Sequence, residues 1–448
     1  MLKLHNTATK KLEDFKPQGD IVKIYTCGPT VYGYQHIGNY AAYIYWDLLI
    51  RTLKLDGYKV KRILNFTDVG HLTSDGDEGE DKLEKGAKKE GKTVWEIAKF
   101  YGDDFLRNFR ALNLTEPDLI AHATDYIDAS IKAVDAMTKN GFTYKTTDGV
   151  YYDTSKFADY ADFAHLDLDG LKAGARVEYS SEKKHPSDFA VWKFIQPNES
   201  HAMRWDYFGK PGYPGWHLEC SAIIDTEFGG PIDIHTGGID HIPVHHTNEI
   251  AEYHAMTGKP LARFWLHNNH ITINDEKVSK SLGNIYTLDD LAAKGFSAMD
   301  FKMWVLSGHY QGTRNFTFES LAAAKSRRLS WRNRIAASYQ RDFHVDKNIF
   351  TKILDAVNNN LNSPEAFAII DTNDLNTEVW EKIDELFGLN LIADSPEISH
   401  VTSELIHERE IARQNKDFAS ADAIRDQLKA ENITVEDTPT GPLWQYLI

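Results

Sequence analysis

The sequence predicts an α/β fold: a parallel-sheet domain interrupted by an α+β insertion and followed by a largely helical C-terminal region. Three observations predict it. A β-branched run, a buried helix pattern and a second strand follow one another over residues 21–67. A strand, a helix and another strand return in the same order over residues 231–273. From about residue 318 onward the pattern is mostly helical. At 448 residues the chain exceeds what one core usually organises, so two to four domains are expected. The expected division is residues 1–114 and 211–290 as two halves of the sheet domain, 115–210 as the insertion, 291–400 as a helical region and 401–448 as a small final domain.

Each element follows from its residues. Ile21 to Thr26 (IVKIYT) reads as a strand broken by Cys-Gly-Pro-Thr, residues 40–53 as a buried helix, and Lys59 to Thr67 as the next strand. Such a βαβ unit implies a right-handed crossover, with ligands outside the carboxyl ends of the strands. Asp75 to Lys92 is charge-rich and expected to be exposed. Thr93 and Glu96 form a capping-box pattern, behind which Val94, Ile97, Tyr101, Phe105 and Phe109 recur at helical spacing. In the insertion, GVYYDT and DFAVWKF are short strand patterns between polar turns. Beyond Gly215, Pro231–His235 reads as a strand, Thr247–Met256 as a helix and Phe264–Ile273 as a strand region.

Hydrophobic residues make up 42% and aromatics 12%, which supports a packed core and argues against disorder. No apolar stretch is long enough to span a bilayer and the first residues carry no secretory pattern, so a cytoplasmic protein with no membrane association is expected. The net charge of −16 argues against a general nucleic-acid binder, although a local basic face is compatible with it. The densest basic cluster is Lys325, Arg327, Arg328, Arg332 and Arg334 around Trp331, readable as a solvated face or an RNA contact. Only two cysteines are present, Cys27 and Cys220. By themselves they read as buried thiols, a disulfide being disfavoured in a large cytoplasmic protein and a shared metal site remaining open.

One motif is rejected. Gly86 to Thr93 matches the phosphate-loop pattern GxxxxGK[ST], but a charged stretch rather than a strand precedes it.

Two further segments carry more. His36-Ile37-Gly38-Asn39 directly precedes the helix expected from residue 40, where free N–H groups and the positive dipole end suit phosphate. Lys277-Val278-Ser279-Lys280-Ser281 places two lysines in a loop that can close over a triphosphate and stabilise departing pyrophosphate. In this order, separated by most of a nucleotide-binding fold, HIGN and KVSKS resemble the HIGH and KMSKS signatures of class I aminoacyl-tRNA synthetases. A third constellation, Gly215 to Ser221 (GWHLECS) and His245 to Ala251 (HHTNEIA), resembles the corresponding segments of the cysteinyl-tRNA synthetase family, with Thr247 in place of that family's usual Glu. The final residues, LIHEREIARQNKDFASADAIRDQLKAENITVEDTPTGPLWQ, resemble the anticodon-contacting end of its bacterial members.

The resemblance implies a Rossmann-like catalytic domain, a helical bundle and a C-terminal anticodon-binding domain. It implies one zinc ion held by Cys27, Cys220, His245 and Glu249. Both thiols of the chain are then used, and residues four apart share a helix face. By composition alone His241 and His246 rival His245. It also implies L-cysteine contacts from Thr67 and Trp216. Contacts to ATP and its magnesium fall to Gly28, Thr30, His36, Gly38, Asn39, Gly237, Gly238, Asp240 and Lys280, with His36, Asn39, Lys277 and Lys280 as the catalytic set. tRNA(Cys) is the implied partner of a monomeric enzyme, with Arg413, Lys416, Arg425 and Trp444 as RNA contacts. Two other functions are compatible with parts of the pattern: a ligase joining cysteine to an amino-sugar by the same adenylate chemistry, which lacks the tail, and a non-catalytic RNA-binding protein derived from a synthetase.

Overall fold

The computed structural model describes residues 1–69, 82–166, 182–196, 201–278, 283–341, 343–438 and 441–447. At its centre stand five strands, β1 (Ile21–Thr26), β2 (Lys59–Phe66), β3 (Leu119–His122), β4 (Ile232–Gly238) and β5 (Ala262–Asn268). They run in the order β5-β4-β1-β2-β3 with every neighbouring pair parallel. The strand order reverses between β4 and β1, so the crevice where such sheets bind ligands lies outside the ends of those two strands. Cys27 and Gly28 follow β1 there, and Gly237 and Gly238 end β4.

Between β1 and β2 runs α1 (Ile37–Leu55), which buries Tyr40, Ile44, Trp46, Leu48 and Leu49 and is covered nearly all round. It begins three residues before the helix the hydrophobic pattern marks out, because His36 caps it. β2 leads through α2 (Lys82–Glu90) to α3 (Val94–Ala111), whose Thr93–Glu96 capping box is present as expected. Of the stretch expected to be charged and exposed, residues 75–81 lie outside the described residues; Lys85 and residues 88–92 are exposed, while Leu83 and Ala87 of α2 are buried. Gly86 therefore sits inside a helix, where no phosphate loop can form. Between β3 and β4 an antiparallel five-stranded sheet includes Gly149–Tyr152 and Phe189–Phe194. Helices α4 (Leu218–Phe228) and α5 (Thr247–Thr257) flank β4 in sequence.

Beneath α1 a buried ionic cluster ties the sheet layer to α6 (Ala298–Leu306). Asp47 accepts from Lys302 at 2.9 Å, from Arg51 at 2.8 Å and from the Thr115 backbone N–H at 2.7 Å. Lys302 also donates to the Asn113 carbonyl at 3.1 Å. These partners hold the Asp47 carboxyl below the usual carboxylate range against its burial, and burial pulls Lys302 down to about 8.

The basic cluster on α7 (Phe318–Gln340) is largely consumed inside the protein. Arg328 pairs with Asp300 at 2.8 Å and Asp394 at 2.9 Å, Arg332 donates to the Asp394 carbonyl, Arg334 donates to the Asn373 carbonyl and Trp331 is buried. It joins helices, while Lys325, Arg327, Arg332 and Arg334 stay partly exposed. The chain ends in two helices (His400–Gln414 and Phe418–Ala430) and a hairpin (Ile433–Thr438 with Gly441–Tyr446). Trp444, expected on the RNA side, is buried instead: its ring lies parallel to Tyr339 and its backbone exchanges two 2.9 Å hydrogen bonds with Gln340. Arg413 pairs with Asp437 and Arg425 with Asp422, while Lys416 is exposed.

Candidate active site

Four side chains meet in the crevice. Cys27 comes from the end of β1, Cys220 from the first turn of α4, His245 from the wide π turn Ile242–His246, and Glu249 from the first turn of α5. One donor atom from each lies within 4.8 Å of the others, and all four residues are buried. His245 Nε2 stands 2.9 Å from Glu249 Oε1 and 3.6 Å from Cys220 Sγ, and Cys27 Sγ stands 3.9 Å from Glu249 Oε1. A second foursome shares two of these residues: Cys27, His235, His246 and Glu249.

The neighbours sort the two sets. Glu249 Oε2 is held by His235 Nε2 at 2.6 Å, which leaves Oε1 facing both cysteines and His245. His246 lies 3.3 Å from Cys27 through Nε2 and 2.7 Å from His267 Nε2 through Nδ1, and His267 Nδ1 meets the Thr7 hydroxyl at 2.8 Å. His235 and His246 thus touch Glu249 and Cys27, the two residues that both foursomes share. Sequence reasoning named His246 only as a rival ligand by composition and missed His267 altogether.

The groups of this pocket shift one another's ionisation. Burial resists a charge on Cys27, but a hydrogen bond from Cys220 and the imidazoles of His246 and His235 bring that thiol well below its ordinary range. Burial and the neighbouring Cys27 push Cys220 well above it. Burial also opposes the Glu249 carboxylate, yet His235 and His245 hold it down at about 2. Burial lowers His246 to about 4. Two sulfurs, an imidazole and a carboxylate converging in a buried space are a donor set suited to a borderline-soft divalent cation.

The other predicted residues fall around this centre. Trp216 stacks on His245, ring centroids 4.6 Å apart and 14° from parallel. Thr67 closes the loop after β1 by pairing with Thr30, and its hydroxyl donates to the buried Glu219 carboxyl, which burial pushes well above the carboxylate range. Gly28 donates its N–H to Asn65 Oδ1 at 2.9 Å, and a Cβ there would lie 1.5 Å from the Asn65 carbonyl oxygen. Its lack of a side chain is therefore imposed by β2. A Cβ on Gly237 would likewise fall 2.6 Å from His241 Nδ1 and 2.7 Å from His246 Cε1. Asp240 is mostly exposed beyond β4.

His36 and Asn39 cap α1 reciprocally. His36 Nδ1 accepts from the Gly38 N–H at 3.1 Å, and Asn39 Oδ1 accepts from the His36 N–H at 3.1 Å. Asn39 is thus part of the first helical turn. Lys277 belongs to the short strand Glu276–Lys277, and Lys280 lies outside the described residues.

The parallel sheet with its ligand crevice at the β1/β4 reversal, the capped HIGN turn and the KVSKS segment define a class I aminoacyl-tRNA synthetase. Residues 15–326 match the class I (C) tRNA synthetase catalytic domain, and residues 395–444 match the cysteinyl-tRNA ligase anticodon binding domain. The chain belongs to the cysteinyl-tRNA ligase family. It is 38% identical to the cysteine--tRNA ligase of Treponema denticola, with 100% of each chain covered. It is 41% identical to cysteine--tRNA ligase 1 of Burkholderia lata, over 98% of this chain and 96% of that one. The solved methionyl-tRNA synthetase of Mycobacterium tuberculosis in complex with methionyl-adenylate shares the fold at a TM-score of 0.57 and 14% identity, covering 88% of this chain and 84% of that one.

Proposed function

We propose that this protein activates L-cysteine with ATP and transfers it to the 3′ end of tRNA(Cys), acting as a monomer in the cytoplasm. The observation that carries the amino-acid choice is the convergence of both thiols of the chain with His245 and Glu249 beside the HIGN turn. These four are the proposed zinc ligands. Bound there, zinc supplies a soft Lewis acid that accepts a thiolate and accepts a protonated serine hydroxyl poorly. A purely hydrophobic pocket separates such small differences weakly.

In the first step a cysteine carboxylate oxygen attacks the α-phosphorus of ATP, the bond to the β-phosphate oxygen breaks and pyrophosphate leaves. In the second a terminal ribose hydroxyl of the tRNA attacks the adenylate carbonyl and AMP leaves. No side chain needs to form a covalent bond, so the residues act by position and charge. His36, Gly38 and Asn39, at the N-terminal end of α1, are proposed to meet the phosphates, with Gly28 and Thr30 alongside. Gly237, Gly238 and Asp240 are proposed to hold the adenosine, Asp240 accepting from ribose hydroxyls. Thr67 and Trp216 are assigned to the cysteine pocket. Lys277 and Lys280 are assigned to the charge on departing pyrophosphate, and magnesium accompanies the ATP. The domain division follows the same reading: 1–114 and 211–290 catalytic, 115–210 connective, 291–400 stem-contacting and 401–448 anticodon-binding. The C-terminal domain weighs against the amino-sugar ligase, and the assembled donor set weighs against a non-catalytic RNA-binding protein.

The test is cysteine-dependent ATP–pyrophosphate exchange, with aminoacylation of tRNA(Cys) and zinc content measured on the same preparation. Exchange without aminoacylation favours the amino-sugar ligase, and neither activity favours the binding protein. Exchange that proceeds equally with serine removes the role assigned to the metal.

A further inference from the structure

We propose that Tyr34, Phe100 and Tyr101, bordered by Lys89 and Lys92, form a shelf on which the single-stranded 3′ end of the tRNA stacks as it approaches the site. This rests on the function proposed above and names a contact for its second step.

Tyr34 and Phe100 are among the few large apolar side chains on the surface, 55% and 43% exposed, and they are neighbours in space. Their ring centroids are 6.1 Å apart, and Tyr101 fills the corner between them, 5.0 Å from Tyr34 and 5.1 Å from Phe100. All three contacts are edge-on, so the rings brace one another and leave aromatic surface to solvent. Lys92 Nζ lies 4.4 Å from the centroid of the Phe100 ring.

Place and charge choose the occupant. Tyr34 lies on the segment between Cys27 and the cap residue His36, two residues before the HIGN turn. α2 is fixed beside this segment: a Cβ on Gly86 would be 3.5 Å from the Tyr32 carbonyl oxygen, and Glu84 accepts from the Ala202 N–H at 2.6 Å. The chain carries a net charge of −16, yet Lys92 stands over Phe100 and Lys89 beside Glu90, which bonds Tyr101. The nearby acids are already engaged: Glu90 with Lys92 and Tyr101, Asp103 with Lys99, and Asp104 with Arg107. Exposed aromatic faces beside lysines are the chemistry that holds unpaired nucleotides, because every base has a face to stack and every phosphate a charge to neutralise. A lysine-rich border does not suit an apolar protein partner.

The test compares RNA hairpins of the tRNA acceptor stem with and without the single-stranded 3′ end, binding to the full-length protein. The 3′ end is expected to strengthen binding by about tenfold, and Phe100→Ala to remove most of that gain. Phe100→Trp should keep the gain and Phe100→Leu should lose it, which separates stacking from simple apolar cover. The double substitution Lys88→Ala with Lys89→Ala should lower the slope of log affinity against log salt by about 1. Equal binding of the two hairpins by the unaltered protein overturns the proposal. So does an unchanged gain in Phe100→Ala, or a Phe100→Ala effect confined to self-association, which would assign the shelf to a second copy of the chain. Cysteine-dependent pyrophosphate exchange, measured in parallel, needs no tRNA. Its absence in the unaltered protein defeats the proposed function, whereas the hairpin comparison judges the shelf separately.

Discussion

Two buried polar clusters lie near the central sheet, and they are built on opposite principles. Around Asp47 the negative charge meets Lys302, Arg51 and a backbone N–H, so the chain supplies both signs and the cluster closes on itself. Around Cys27 the converging groups are thiols, imidazoles and a carboxylate; burial resists a charge on His235 and His245, yet Glu249 raises both. There burial opposes a charge on Cys27, but Cys220 and the imidazoles pull its thiol below the ordinary range, while burial and Cys27 push Cys220 above it. The first cluster is complete as structure. The second gathers donor atoms compatible with a metal ion, which is what the first lacks.

Substitutions break this contrast in order of expected size. Asp47→Asn strands Lys302 in the interior and should destabilise the fold by about 3–5 kcal/mol in urea unfolding, with zinc content unchanged. The pH dependence follows from the direction of the Asp47 shift. Its folded value lies below the ordinary carboxylate value of about 4, so its contribution is complete above that value and fades only as pH falls through the folded one. The gap between Asp47→Asn and the unaltered protein should therefore be full at neutral pH and shrink only in strong acid. A gap that shrinks on going from pH 7 to pH 5 contradicts this account. Cys220→Ser should lose bound zinc and cysteine-dependent exchange together, by about 100-fold in exchange, while the melting curve moves less than in Asp47→Asn. Normal zinc and normal cysteine affinity in that variant remove Cys220 from the ligand set. His235→Asn should lower zinc affinity by about tenfold, because it frees the Glu249 oxygen that faces away from the thiols. Lys302→Met should be the mildest, about 1–2 kcal/mol, because Asp47 keeps Arg51 and the Thr115 N–H. If it costs as much as Asp47→Asn, the Asp47 cluster does not close on itself.

The sequence made the frame legible because strands and helices announce themselves locally. The β1–α1–β2 unit, the Thr93–Glu96 cap and the β4–α5–β5 return were all readable from periodicity and turn residues. The gathering of Cys27, Cys220, His245 and Glu249 was legible only through motif resemblance, since positions so far apart in sequence carry no local sign of meeting. The rest depended on tertiary pairing. A row of arginines on α7 looks identical whether it faces solvent or Asp300, Asp371 and Asp394. Trp444 reads the same whether it stacks on RNA or on Tyr339. The link from Thr7 through His267 and His246 to Cys27 joins residues whose spacing follows no helix or strand period.

The π turn at Ile242–His246 has a genetic consequence. It holds one more residue per turn than an ordinary helix, and that surplus lets adjacent imidazoles serve different sulfurs, His245 toward Cys220 and His246 toward Cys27. Deleting a single codon upstream of the pair could leave every ligand encoded, yet tightening the turn would swing the preceding residues by about 100° around the axis. Reading-frame-preserving deletions in this short stretch should therefore be as damaging as loss of a cysteine, although no chemical group has been removed.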